Sequence, residues 1–228
     1  MNDIAKAHKI ILGRLNKTQY GHLSPEVIDD AIHVAQLNRY TNLFGDPADI
    51  ARNPKTKISY GQIQKIDDEL SPFMDFVDFT SNSTSGGVLN LPSTYKHYLG
   101  VITRSPVGVI RKTTITSEND LANILASQIV GPTVDRPAMM VSGKGVIQYF
   151  PESPQQGRVY FLKKPVAPKY AYTITDRVVT QDIQASVNLE WGDASMKVII
   201  DDAINICSDH LRDVFMAQTS IEKINRDA

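Results

Sequence analysis

Apolar and polar residues follow two different periods along this chain. Near the start, Ile4, Ala7, Ile11, Leu12 and Leu15 recur at the three- and four-residue spacing of an amphipathic helix. The stretch "NKTQYGHLS" breaks that pattern, and a second helical run follows. Ser24 is a good N-cap, Pro25 suits a first helical position, and Glu26 falls where the helix dipole favours an acid. Val27, Ile28, Ala31, Val34, Ala35, Leu37 and Leu43 carry the run forward, and Gly45 is placed to end it. A weaker helical pattern covers "ISYGQIQKIDDEL" and stops at Ser71-Pro72. At the far end Met196, Ile199, Ile200, Ala203, Ile204, Cys207, Leu211, Val214 and Phe215 form an apolar stripe. It reads as one long helix or a broken pair.

Between the helical ends the period drops to two. "FVDFT", "GVLNLP", "YKHYLGVITR", "VGVIRKT", "AMMVSG", "GVIQYFP", "RVYFLKK" and "SVNLEW" read as short strands, with Gly, Pro, Ser or Asn between most of them. "MMVSGKGVIQYF" reads as a hairpin turning at Ser142-Gly143-Lys144-Gly145. One helix interrupts, "SENDLANILASQ", capped by Ser117. The predicted fold class is α+β, with the terminal helices packed together and an antiparallel β-rich region inserted between them. The predicted zones are a helical hairpin plus short helix over 1–72, a β-rich region over 73–190, and a C-terminal helix or helix pair over 191–228.

Composition narrows the function classes. The 228 residues allow one sizeable domain or two small ones, and 42% apolar content supports a packed core. With 24 basic and 25 acidic residues the net charge is −1, so the basic surplus of a dedicated nucleic-acid binder is absent. "RKTT" and "RVYFLKK" are local basic stretches, read as solvated strand faces with phosphate contact as the alternative. A single cysteine, Cys207, rules out an intrachain disulfide and favours a reducing compartment. No signal peptide and no bilayer-spanning apolar run are read, so no membrane association is expected.

Catalytic patterns are missing. "SGKG" at 142–145 lacks the upstream glycine, the Lys-Ser or Lys-Thr pair and the following helix of a phosphate loop. His8, His22, His33, His97 and His210 are scattered; Cys207 and His210 lie three apart but supply only two ligands, so no metal site is expected. The acidic pairs Asp29-Asp30, Asp67-Asp68-Glu69 and Asp201-Asp202 read as solvated helix faces, because adjacent helical residues point in different directions. No catalytic residue and no cofactor are expected.

The ordered segments "LNKTQYGHLSPEVIDDAIHVAQLNRYTNLFGD", "LNLPSTYKHYLGVI", "TSENDLANILASQIVGPTVDRPAMMVSGKGVIQYFP", "VYFLKKPVAPKYAYT" and "LEWGDASMKVIIDDAINICSDHLRDVF" together cover most of the chain. In that order they resemble a family of virion proteins of tailed bacteriophages, especially phages of Bacteroidetes hosts including the crAss-like group. The "SNSTSGG" insertion at 81–87 and the "HLRDVFMAQTS" tail depart from the family pattern. The resemblance implies a structural, non-enzymatic head-to-tail adaptor or neck ring subunit, assembled in the host cytoplasm and resident in the virion. It implies a homo-oligomeric ring, a dodecamer, contacting the portal protein and other neck or tail rings. Double-stranded DNA passes through the lumen without sequence-specific binding.

In a ring, "RVYFLKKPVAPKYAYT" acquires a reading of its own. Pro165 and Pro168 cannot donate to a ladder, so the chain must leave its sheet or run along an edge. One reading is that Lys163, Lys164, Pro165, Pro168, Tyr170 and Tyr172 dock on an adjacent subunit, with the tyrosines as anchors. The other is an internal crossover within the same chain. Two further readings of the whole protein remain beside the ring: an enzyme or nucleic-acid-processing protein with a dispersed site, and a minor capsid or tail component outside the ring.

Overall fold

The computed structural model describes residues 3–15, 23–44, 67–80, 87–104, 110–127, 129, 131–133, 136–142, 145–151, 156–176 and 178–226. The fold class is α+β. Helices α1 (Ile4–Leu15) and α2 (Pro25–Phe44) lead into a short 3-10 turn, Ser71–Phe73. Strands β1 (Met74–Phe79), β2 (Val88–Asn90), β3 (Tyr95–Arg104), β4 (Ile110–Lys112) and β5 (Thr114–Thr116) precede helix α3 (Glu118–Ala126). Then come β6 (Ala138–Ser142), β7 (Val146–Phe150), β8 (Gln156–Lys163), β9 (Tyr172–Thr175), β10 (Val178–Gln181) and a single helix, α4 (Asp193–Arg226). Gly45 and most of "ISYGQIQKIDDEL" lie outside the described residues; 67–70 is helical.

Contacts divide the chain into two compact units: Met1–Pro72 with Pro165–Ala228, and Phe73–Lys164. The compact β unit is shorter than the expected β-rich zone over 73–190, whose last strands, β9 and β10, lie in the other unit. The chain after Pro165 belongs to the helical unit, because its backbone is hydrogen-bonded to α2: Gln36 Nε2 donates to the Val166 carbonyl at 2.9 Å. "SVNLEW", expected as a strand, is mostly irregular; Val187 alone makes a bridge, to Lys169.

In the helical unit α1 and α2 both pack on α4. Ile4, Ala7, Ile11 and Leu15 face inward from α1, and Met196, Ile199, Ala203 and Cys207 from α4, at the spacing the sequence shows. Asp3 Oδ1 accepts from the Ala5 N–H and Asn188 Oδ1 from the Ile4 N–H, which satisfies donors left orphaned at the start of α1. The inner face of α2 differs from expectation. Val34 and Leu37 are exposed, and Gln36 is buried between Ala35 and Tyr40 on the inward stripe. Gln36 is inward because it is fully used: its amide oxygen accepts from the Trp191 indole N–H at 3.3 Å while its nitrogen serves Val166.

The β unit is two four-stranded sheets, ordered β1-β8-β3-β4 and β2-β7-β6-β5. Phe79, Val159, Val101 and Tyr98 from the first meet Leu89, Met139, Ile147 and Tyr149 from the second in one core. The far side of the second sheet is covered by α3, whose Leu121 packs with Ala138 and Met140. The insertion is not wholly antiparallel: β5 and β6 run parallel, Thr114 opposite Ala138. A parallel pair needs a crossover, and α3 provides it. The β6–β7 hairpin is present, with Ser142 opposite Val146 and Gly145 at φ +78°.

The sandwich core holds tyrosine hydroxyls that burial strips of partners. Tyr149 is 4% exposed, and neither its hydroxyl nor that of Tyr98 has a hydrogen-bond partner among the described residues. A buried unpaired hydroxyl costs about 1 kcal/mol or more. Tyr149→Phe is therefore expected to unfold later than the parent by about 1 kcal/mol in thermal or urea melts; a loss of stability would mean the hydroxyl is satisfied. Burial also raises the titration of these phenols: Tyr98 and Tyr149 upward, and Tyr40 in the helical unit up to about 12. The folded state thus holds protons that the unfolded chain releases near pH 10. The contribution of these tyrosines to stability is expected to be constant below that pH and to fall as pH rises towards 12. Denaturant midpoints followed with tyrosinate absorbance check this.

Candidate functional site

The segment from Lys163 to Tyr172 is seated on its own chain. Lys163, half-buried, ends β8, and the Lys164 N–H donates to the Thr94 carbonyl at 2.8 Å within the β unit. Beyond it Pro165 and Pro168 are buried, while Lys164, Val166, Ala167 and Lys169 are exposed. The Tyr170 N–H donates to Asp29 Oδ2 at 2.9 Å, and the Tyr170 ring stacks on His8, centroids 4.7 Å apart. Asp29 Oδ1 lies 2.7 Å from His8 Nε2, so one carboxylate of α2 ties α1 to the segment. Tyr172 stacks on Tyr170 at 6.1 Å. Ser186 and Asp182 lace the other edge, through the Ala171 N–H and carbonyl. The prolines and Tyr170 are thus spent on an internal crossover, and what faces outward is the row Lys164, Val166, Lys169.

Asp29 departs from its expected role. Adjacent Asp30 is exposed, but Asp29 is mostly buried and accepts from two elements. Glu69 departs likewise: Asp67 and Asp68 are exposed, whereas Glu69 Oε2 accepts from Arg39 Nη2 and from Ser195 Oγ, each at 2.5 Å. A helical pair points one member in and one out, so an acidic pair conceals which carboxylate is structural. Elsewhere on α4 Asp201 pairs with Arg14 at the surface, a contact worth little, and Asp202 lines an open polar groove of about 410 Å³ with Asn38, Asn42 and Asn205.

Among the described residues, two strand-built apolar surfaces lie uncovered. The β9–β10 ribbon puts Ile174 directly opposite Val179, and these are 66% and 58% exposed, with Ile183 following at 78%. Its turn residue, Asp176, sits at φ +51°, which an aspartate tolerates better than most side chains. The second surface is the part of the first sheet's outer face around Met74, Phe76 and Ile102; Leu162 on the same face is fully buried. Register aligns Met74, Phe76 and Asp78 of β1 with Leu162, Tyr160 and Arg158 of β8, and Arg158 with Ile102 of β3. Met74, Phe76, Leu99 and Ile102 are exposed there. The β1 margin of that sheet is closed to strand addition at one point, because Asp75 Oδ1 caps the Phe76 N–H at 2.8 Å.

At one end of this face is a cleft of about 350 Å³ lined by Asp78, Thr80, Arg104, Gln156, Arg158 and Tyr160. Arg158 grips Asp78 through Nε at 2.7 Å and Nη2 at 3.0 Å, and its guanidinium lies 3.8 Å over the Phe76 ring. The ion pair holds the Asp78 carboxyl below its ordinary range, chiefly through the hydrogen bond from Arg158. Among the described residues no group of three His, Cys, Asp or Glu side chains is arranged for a metal. Cys207 is buried and its thiol pushed up to about 11 by burial, while His210 is exposed. No described helix is long and apolar enough to cross a membrane. No protein-family model matches the chain, and no curated protein matches it.

Proposed function

We propose that the chain is a structural virion subunit: a neck or tail adaptor that assembles with copies of itself into a ring between portal and tail, leaving a channel for DNA. The ordered segments that resemble phage neck proteins motivate this reading. One observation carries it: the chain bears two unlike, uncovered apolar surfaces, the Ile174–Val179 ribbon face and the outer sheet face around Met74, Phe76 and Ile102. Unlike surfaces that fit each other make a heterologous contact, which closes into a ring when its rotation allows. A pair of identical patches would make a two-fold dimer instead. The contact uses side-chain faces, and the row Lys164, Val166, Lys169 adds to it from outside. Ring closure needs no catalytic group.

Deleting 163–172 is a poor test, since that segment holds Asp29 and Gln36 within the subunit. The double change Ile174→Asp and Val179→Asp is cleaner, because both side chains are exposed. Electron microscopy and sedimentation of the purified chain, alone and on portal-bearing particles, are expected to show closed rings for the parent. The double variant should remain subunits with an unchanged melting curve. A parent that stays monomeric in both settings, or a variant that assembles as well as the parent, counts against the reading.

A further inference from the structure

We propose that the cleft at the end of the first sheet's outer face is a phosphate-binding site. It rests on this unit alone and is read on the unassembled subunit, where the outer sheet face is free. Three strands supply its walls: Asp78 from β1, Gln156 and Arg158 from β8, Arg104 from β3. Register sets Arg104 directly opposite Gln156 and Arg158 opposite Ile102, so the two arginines are diagonal neighbours on one face. Side chains in such positions reach a common point between them.

Arg158 is fixed before any ligand arrives. Its side-on bond to Asp78 leaves Nη1 outside that ion pair, and the Phe76 ring supports the plane of the guanidinium. A donor held in place loses less rotamer entropy on binding than a free one. Arg104 is exposed, lines the cleft, and makes no close ion pair among the described residues; the carboxylate it feels is Asp78, whose oxygens Arg158 already holds. Two guanidinium charges against the one carboxylate of Asp78 leave a single positive charge, the complement of a monoanion. The donors approach from two strands, and the Gln156 amide stands beside them. A planar carboxylate offers two oxygens in one plane, which a single arginine fork satisfies. Donors from several directions suit a tetrahedral oxyanion. The volume, about 350 Å³, is in the ordinary range of ligand pockets and leaves room for the ester groups on the phosphorus.

The source of the phosphate is either a nucleic-acid backbone or a small phosphorylated molecule, and a titration separates them. Amide spectra of the full chain are followed while inorganic phosphate, a short single-stranded oligothymidylate, or an oligoglutamate peptide is added. Phosphate is expected to move the amides of Gly157, Arg158 and Tyr160, and the effect should weaken as salt is raised. Movement of the same amides by the oligothymidylate identifies backbone phosphates as ligands; movement by phosphate alone identifies the small molecule. Arg104→Gln, which leaves the Asp78–Arg158 pair intact, should weaken binding roughly tenfold. Arg136→Gln removes an exposed charge that does not line the cleft and should bind as the parent does. Circular dichroism shows that each variant is folded. The site is refuted if phosphate moves none of these amides, if oligoglutamate moves them and phosphate does not, or if Arg136→Gln weakens binding as much as Arg104→Gln.

Discussion

Replacing Gly157 by alanine should destabilise the β unit by about 3 kcal/mol, a cost at the upper end of overpacking. Gly157 lies in β8 opposite Phe79 on one side and Thr103 on the other. A Cβ there would run into the Phe79 ring and would stand 2.7 Å from the Ile102 carbonyl oxygen. The ring belongs to the sandwich core and is 2% exposed, so it has nowhere to turn, and the carbonyl is backbone. Valine at the same place should prevent folding of the unit. The cause is local, so shrinking the ring should relieve it: Gly157→Ala with Phe79→Leu is expected to lose less than the sum of the two single changes in urea melts. Strict additivity would show that the glycine is needed for another reason.

Glu69→Ala should cost the helical unit about 3 kcal/mol, near the lower end of what breaking a buried ion pair does. Its carboxylate accepts from Arg39 and Ser195, and Arg39 Nε also donates to Ser195 Oγ at 3.3 Å. The Arg39 side chain is 21% exposed and that of Glu69 10%. Removing Glu69 strands a guanidinium that water reaches poorly. The triad joins α2, the 67–70 helical segment and the first turn of α4, so its loss should loosen all three in hydrogen exchange. Replacing the pair together, Glu69→Leu with Arg39→Met, should cost less than Glu69→Ala alone, because no charge is left behind. Equal costs would mean that the carboxylate matters for packing and its charge does not.

The helices were legible because an apolar stripe at helical spacing has few other interpretations; α1 buries Ile4, Ala7, Ile11 and Leu15, and α4 buries Met196, Ile199, Ile200, Ala203, Cys207 and Leu211, all selected by that spacing. Along α2 the same rule chose Val34 and Leu37 over Gln36. Polarity says nothing about a glutamine whose amide is fully bonded to a tryptophan and a carbonyl that lie far away in sequence. The α+β class was readable from the order of the patterns. The pairing of strands was not, since β1 finds β8 across most of the unit and loop composition does not encode that partner. The β9–β10 ribbon pairs "YTIT" with "VVTQ", a short signal that the strong turn chemistry of Pro165 and Pro168 just before it masks. Of the candidate site, the abrupt exit at Pro165 was visible in the sequence. Its destination on Asp29 and His8 depends on which member of an acidic pair turns inward, which only packing decides.

The β unit is one uninterrupted stretch, whereas the helical unit is made of two stretches that flank it. The β unit begins with β1 and closes with β8, and these are adjacent strands with Met74 opposite Leu162. Its two ends therefore lie side by side. During synthesis the ribosome delivers α1 and α2 long before α4, their packing partner, exists. The β unit can complete itself while those helices wait, and its finished ends then hand the nascent C-terminal stretch back to the place where the N-terminal one left off. Such an insert is removable by design of the chain: a few linking residues in place of 73–164 would span the gap.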